Sequence, residues 1–598
     1  MKKRVADIIM KILVQNDITD CFGVVGGGAM HLNNALAKCD KIHKYFNHHE
    51  QASAMAATAY ARECGRMAAV CVTSGPGGTN TLTGVMGAWE DSLPMIVISG
   101  QVRYDTTIES CNLPLRYRGL QEFDIINSVR NMTKYAVTIK DPLEIKREFQ
   151  KAIDIALDGR RGPVWVEVPL NIQGDMVEEN NLYKVENHYT KKIIVKDSEI
   201  EEIFTILKSS KRPCILSGSG IISSNTRDEF EKFLNKVKIP VLGGAWVPDV
   251  LYDEHYLYYG LSGNMGPRTG NFILQNADVI LVLGNSLGFR QTGFNQDGFA
   301  PNAKIIMIDI DYNESKKPGL NIFKFIHSDL RYFFDKVNSD TKEIEAPKEW
   351  MEYCDKLKKR FTPYESIQNL KMLDRVSSYY FWKEFSKYEA DDSIVALGNS
   401  TCDSSKLQIG VRKKNQKALS NHTCGSMGDD LPAAIGAAVS SGKEVICVTG
   451  EGSIMMNIQE LQTIKQYNLP IKVVVFSNDG YAAIRNTCKN FFKGKYIGCN
   501  KESGISFPDF RKIAEAFGYS YKICNNNKEL DGKLKSFFAY KGNIILEILQ
   551  KFDDPVIPKV TSRMNENGVF ETPKLHDMAP FLNKSELDEL MIYNKSEV

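Results

Sequence analysis

The chain has almost no net charge. Its 75 Lys and Arg stand against 73 Asp and Glu, so no field of one sign draws it toward a nucleic-acid backbone. It also lacks paired cysteines: the 13 present are scattered with no C-x-x-C spacing, against a disulfide framework or a structural zinc site. The nine histidines form no H-x-x-x-H pair. No apolar run reaches the roughly 18 residues of a membrane span. Met1-Lys2-Lys3-Arg4 is basic, but Asp7, Lys11 and Asp17 interrupt any secretion-signal core, and the pattern is an amphipathic helix. Short-period repeats and low-complexity tracts are absent. These absences predict a cytoplasmic protein without nucleic-acid or membrane partners, and 598 residues allow three or so domains.

What is present centres on residues 445–480. Val445 to Val448 is a short β-branched run that stops at Gly450-Glu451-Gly452-Ser453, as a buried strand of a parallel sheet would. A helix is predicted next from Met455, Ile458, Leu461 and Ile464, with Asn457 and Glu460 as its capping box. A second apolar run ends in Ser477-Asn478-Asp479-Gly480. In such a βαβ unit both turns lie at the carboxyl edge of the sheet. Glu451 and Asn478 can then face one point, and their oxygens suit Mg²⁺ shared with a phosphorylated ligand. The Gly450, Gly452 and Ser453 backbone at a helix start would supply N–H groups for the phosphates.

Three further turns follow strands near the N-terminus. They are Gly26-Gly27-Gly28, the residues before Glu50, and Thr73 to Asn80, which includes Pro76. Glu50 opens a helix rich in alanine, whose small residues permit close packing on another element or another subunit.

Gly450-Glu451-Gly452-Ser453 with Asn478, 27 positions after the acid, resembles the metal-diphosphate motif of thiamine diphosphate enzymes. The N-terminal turns, in order, resemble the pyrimidine-binding domain of the acetolactate synthase branch. Two departures stand out: Glu451 replaces the usual Asp, and Ser477 replaces the first Asn. The resemblance implies an α/β protein of three doubly wound parallel-sheet domains. Their expected ranges are 1–180 (pyrimidine-binding), 196–340 (central) and 370–550 (diphosphate- and metal-binding), with a polar connector at 171–195, a charged linker near 338–350, and a tail at 551–598 packed over the catalytic domain.

By the same resemblance Glu50 hydrogen-bonds and exchanges a proton with the aminopyrimidine ring, and Gln121 holds intermediates. Gly26, Gly27, Pro76 and Asn80 border thiamine diphosphate, and Asn399 and Ser400 form a second diphosphate turn. The Gly425 carbonyl accepts from the cofactor's amino group, Met427 props the cofactor bent, and Ile484 borders it. Glu451, Asn478 and Gly480 hold Mg²⁺. Gly284 to Gly293 with Asp309 and Asp311 resembles a flavin-bearing middle domain, so FAD is a further candidate. Arg290 matches an arginine that meets the second substrate, its plain alternative being a surface ion pair.

The implied chemistry is decarboxylation of a 2-oxo acid such as pyruvate and transfer of the two-carbon unit to a carbonyl acceptor. Ala483 and Thr487 stand where the family carries Met and Trp, which predicts a wider acceptor pocket and an acceptor such as a nucleotide-linked keto-sugar. Acetolactate synthesis, simple decarboxylation and a cofactor-binding relic without activity are the alternatives. A homodimer or homotetramer is implied, with Glu50 and Glu451 supplied by different chains.

Overall fold

The computed structural model describes residues 2–186, 188, 192–362, 374–421, 423–564 and 570–595. Three six-stranded sheets with all strands parallel organise them. The N-terminal sheet runs, in space, His43–Phe46, Asp20–Gly23, Ala68–Val72, Met95–Gln101, Pro163–Pro169, Tyr135–Thr138. The C-terminal sheet runs Lys417–Ser420, Ile394–Leu397, Val445–Gly450, Ile471–Ser477, Ile544–Leu549, Ser520–Cys524. Ranked by chain position, both read 2-1-3-4-6-5. The middle sheet, Tyr258–Leu261 through Pro213–Ser217 to Ile322–His327, reads 3-2-1-4-5-6, the doubly wound dinucleotide-binding order. Val445–Gly450 and Ile471–Ser477 are buried along their whole length, as strands covered by helices on both faces must be.

Where the strand order reverses, a crevice opens at the carboxyl ends of the strands. In the N-terminal sheet the reversal lies between Asp20–Gly23 and Ala68–Val72, so the glycine turn at 26–28 and the turn at 73–80 flank it. In the C-terminal sheet it lies between Ile394–Leu397 and Val445–Gly450, so the turns at 398–400 and 450–453 flank it. The second-ranked strand of each sheet leads to a segment that enters a helix: α1 (Glu50–Cys64) and α2 (Asp430–Ser441).

These two equivalent helices pack on each other within the chain. A Cβ on Gly436 would lie 2.0 Å from the Ala56 carbonyl oxygen, so the backbones approach as closely as glycine permits. Ala54, Ala57 and Tyr60 share one core with Leu431, Ala434 and Ile435. The alanine-rich face of α1 is thus covered by this chain's own C-terminal sheet layer.

Several sequence expectations need correction. The predicted helix from Met455 is two helices, Glu451–Ile454 and Glu460–Gln466, and there is no Asn457/Glu460 capping box. Both side chains turn instead to the N-terminal sheet: Glu460 accepts from Asn47 and the His48 N–H, and Asn457 donates to Gln51. The stretch near 338–350 is not a linker, because Ile344–Glu345 pairs with Val237–Lys238 and Trp350 is buried against the middle sheet. Part of the 171–195 connector is also ordered, Met176–Glu178 pairing antiparallel with Lys2–Arg4. The tail does not mainly cover the catalytic domain. Leu575, Leu590 and Met591 join the core of the middle sheet with Phe272 and Trp350, packing over helices that already cover that face. The start expected for the third domain, residue 370, lies outside the described residues.

The α1–α2 contact makes a prediction. Gly436→Val should lower thermal stability by several degrees, as overpacking costs about 1–3 kcal/mol. Gly532→Ala, on a helix position with nothing within 4 Å, should leave stability unchanged or raised. Thermal melts of both variants check this.

Candidate active site

Glu451 begins where strand Val445–Gly450 ends, and it is buried. Its longer side chain reaches the facing turn: Oε1 accepts from the backbone N–H groups of Asn478 (3.2 Å) and Gly480 (2.5 Å). Gly480 has φ 143°, and a Cβ there would meet the Cys499 carbonyl oxygen at 1.9 Å, so only glycine fits this turn. Burial pushes the Glu451 carboxyl up to about 7, against the two N–H bonds that favour its charge.

Three oxygens at this point remain able to bind a cation. Glu451 Oε2 has no hydrogen bond within the described chain, the Gly480 carbonyl accepts no backbone N–H, and Asn478 Oδ1 accepts one hydrogen bond, from Arg485 (3.0 Å). One carboxylate, one amide and one carbonyl oxygen form a hard donor set that fits Mg²⁺. Among the described residues no cluster of three or more His, Cys, Asp or Glu offers another cation site.

The neighbouring turns close around this point. A Cβ on Gly450 would lie 3.2 Å from Ser400 Cβ, and one on Gly452 would enter the Tyr481 ring at 2.1 Å. Ser453 Oγ accepts from the Gly428 N–H (2.9 Å) and Ser400 Oγ from the Asp403 N–H (3.3 Å). Asn399 Nδ2 donates to the Gly425 carbonyl. Met427 is half-buried in the loop between Gly425 and α2.

At the N-terminal sheet, Glu50 Oε2 accepts from Asn80 Nδ2 (2.9 Å), and Gly77, one residue after Pro76, would place a Cβ 3.7 Å from Oε1. A Cβ on Gly26 would strike Thr73 at 2.5 Å, whereas Gly27 faces open space. The structure therefore brings Glu50, Pro76 and Asn80 together, and sets the turns carrying Gly26 and Thr73 against each other. Gln121 is exposed with φ 62°, and its carbonyl oxygen packs on Gly75. Its loop is fastened by Gln101, which donates to the Phe123 carbonyl and to Glu167.

A relay of hydrogen bonds joins the two clusters within one chain. Asn457 Nδ2 donates to Gln51 Oε1 (3.1 Å), beside Glu50, and to the Gly428 carbonyl (2.7 Å), beside Met427. Sequence reasoning missed Gln51, Arg485 and Gln550, and gave Asn457 and Glu460 a capping role alone. Only Arg485 left a signal, as a charge at the buried spacing Ala482, Arg485, Cys488.

The residues expected to meet substrate divide. Ala483 and Thr487 lie exposed one turn apart on α3 (Ala482–Phe491), Thr487 Oγ1 donating to the Ala483 carbonyl (3.1 Å). Ile484 beside them is also exposed. Arg290 lines a separate cavity of about 330 Å³ that none of these three reaches. There, among the described residues, no ion pair includes it, and it stacks over Trp246, 4.8 Å from the ring centre.

Two turn clusters, one carrying the Glu50 carboxylate and the other the oxygens of Glu451, Asn478 and Gly480, lie at the strand-order reversals of two sheets with the same topology, where open α/β folds bind ligands. Three family models match the chain in order: the N-terminal TPP binding domain of thiamine pyrophosphate enzymes over residues 3–126, the central domain over 200–328, and the C-terminal TPP binding domain over 397–548. The chain belongs to the thiamine pyrophosphate enzyme family and is a thiamine diphosphate-dependent enzyme. Among its relatives, the acetolactate synthase large subunit of Buchnera aphidicola subsp. Schizaphis graminum is 30% identical over 547 residues, 88% of this chain and 91% of that protein. The probable acetolactate synthase large subunit of Methanococcus aeolicus is 30% identical over 558 residues, covering 89% of each. Acetolactate synthase 2, chloroplastic, of Zea mays is 29% identical over 576 residues, 93% of this chain and 87% of that one. No helix among the described residues is long and apolar enough to cross a membrane.

Glu167, which steadies the Gln121 loop through Gln101, generates a pH prediction. Burial raises its carboxyl to about 8, while Thr138 and Gln101 pull it down. Because the folded value is raised, its stabilising contribution is complete below the ordinary value near 4.5 and is lost as pH rises through 8. Between about pH 6 and about pH 9 the melting temperature of the native protein should fall roughly 2–5 °C relative to Glu167→Gln; parallel melts across that range would show it.

Proposed function

We propose that this protein is a Mg²⁺-dependent carboligase that decarboxylates pyruvate or a related 2-oxo acid and joins the two-carbon unit to a carbonyl acceptor linked to a nucleotide. When bound, thiamine diphosphate supplies the carbanion and electron sink of this chemistry. Glu50, oriented by Asn80, holds and returns a proton at a ring nitrogen. The Gly425 carbonyl and Met427 position the ring system, with Gly26, Gly27 and Pro76 at its border. Glu451, Asn478 and Gly480 hold the cation against the diphosphate, beside Ser453 and the Asn399–Ser400 turn. Gln121 meets the substrate from its exposed loop.

The acceptor assignment rests on the exposed face of α3. Where a large aromatic residue would narrow the entrance, Ala483 and Thr487 leave it open. The same exposed stretch continues into Phe491, Phe492, Lys493, Lys495 and Tyr496. Among the described residues no ion pair includes Lys493 or Lys495, and the sequence from 486 to 501 holds no acid. Aromatic surfaces with free cations suit the base and diphosphate of a nucleotide. Acetolactate synthesis is the second reading, favoured by the names of the relatives.

A second cavity, of about 530 Å³, opens at the reversal point of the middle sheet, lined by Ser219, Gly220, Gly284, Asp309 and Arg160. Its size and its half-buried acid, Asp309, support FAD there. Leu113, Leu115, Tyr117 and Leu120, exposed ahead of Gln121, support burial by a second copy in a homodimer or homotetramer.

Glu50→Gln should lower turnover by roughly 10²–10⁴-fold, measured as pyruvate consumption. Incubation with pyruvate and nucleotide-linked keto-sugars, read by mass spectrometry, should yield a branched product two carbons larger. Acetolactate as the sole efficient product would reject the sugar acceptor. Replacing Lys493 and Lys495 together by alanine should raise KM for the nucleotide-linked acceptor by about tenfold for each lysine that meets the diphosphate, with pyruvate consumption unchanged.

A further inference from the structure

Arg485 lies on α3 with its side chain fully buried. Its Nη2 donates to the Asn478 carbonyl (2.8 Å), to Asn478 Oδ1 (3.0 Å) and to the Phe552 carbonyl (2.7 Å), and Nη1 donates to the Cys499 carbonyl (3.4 Å). The guanidinium carbon stands 3.8 Å from the centre of the Phe552 ring. Among the described residues no carboxylate forms an ion pair with it. Asp553 nearby is taken by Lys489 (3.1 Å). A buried guanidinium held by carbonyl oxygens alone is costly, and its three Nη2 contacts fall on the turn that carries Asn478 and on the start of the C-terminal segment, with Nη1 reaching the Cys499 loop.

The other end of the Asn478 amide is fixed as well. Nδ2 donates to Gln550 Oε1 (3.0 Å), while Gln550 Nε2 donates to Thr401 Oγ1 and Asp554 Oδ2, both at 3.0 Å. A guanidinium can only donate. The amide oxygen must therefore face Arg485 and the amide nitrogen Gln550, with no equivalent flipped arrangement. With Arg485 as its one hydrogen-bond donor, Asn478 Oδ1 keeps a lone pair for a cation, while the Asn478 backbone N–H donates to Glu451 Oε1. Lysine cannot reproduce this hold, because its ammonium lacks the planar fork that spans several oxygens.

We propose that Arg485 is a positioning residue that sets the orientation of the Asn478 amide and locks the metal turn to residues 550–554, making the start of the C-terminal segment part of the cation site. This inference rests on the proposed role of Asn478 as a Mg²⁺ ligand. It gives the C-terminal segment two duties: covering the middle sheet further on, and bracing the metal turn at its start.

The test uses the full-length protein with thiamine diphosphate and Mg²⁺. Cofactor binding is followed by intrinsic fluorescence as Mg²⁺ is titrated, and hydrogen exchange is followed at residues 476–480 and 550–554. Arg485→Met and Arg485→Lys should each weaken Mg²⁺ binding by tenfold or more, with a smaller change in KM for pyruvate at saturating Mg²⁺, and should speed exchange at both segments. Should Arg485→Met not fold, Gln550→Leu, which frees the other end of the same amide, should show the same loss of Mg²⁺ affinity. Unchanged Mg²⁺ affinity in folded Arg485 variants would overturn the proposal. Failure of the native protein to bind thiamine diphosphate with Mg²⁺ would instead overturn the cation site itself, a different result seen before any variant is made.

Discussion

The close approach of α1 to α2 is the contact on which the site depends. Each helix enters just beyond the second-ranked strand of one of two sheets with the same strand order, and pairing them brings residues 47–51 against 457–460. Gly436 against the Ala56 carbonyl makes that pairing possible, since any side chain there would push the sheets apart. From this follows the relay Gln51–Asn457–Gly428, which ties the Glu50 turn to the segment bearing Met427. Function here comes from edges and turns, while strands and helices hold those turns at a fixed separation.

Much of this was legible in the sequence where local chemistry and burial agree. Val445 to Gly450 reads as a buried strand because it is apolar and stops at glycine, and Glu50 reads as a helix start because the alanine run follows it. The thiamine diphosphate resemblance was carried by such turns, and the family matches uphold it. What could not be read depends on partners far away in the chain. Glu460 looks locally like a helix cap, yet it serves the backbone of His48, 412 positions away. A carboxylate buried beside an unpaired N–H gains more there than at a solvated helix end. The tail was misplaced for a similar reason: nothing local to Leu575 or Leu590 states which sheet needs covering.

The two ends of the site differ in electrostatic character. Around Glu451 burial raises the carboxyl, and the nearby positive charge is Arg485, committed to carbonyl and amide oxygens. Around Glu50 an amide, Asn80, supplies the contact, which steers the carboxylate without adding a competing charge. This division suits the proposed roles, a cation held at Glu451 and a proton passed at Glu50. The exposed face at Ala483 and Thr487 is where the proposed function admits a larger acceptor, apart from the residues proposed to hold the cofactor.

A crystal structure of the protein with thiamine diphosphate and Mg²⁺ tests the central claim most directly. The account predicts the diphosphate and metal at Glu451, Asn478 and the Gly480 carbonyl, with the pyrimidine ring against a Glu50 carboxylate. A cofactor bound elsewhere, or one whose ring stands away from every Glu50 in the assembly, would contradict it.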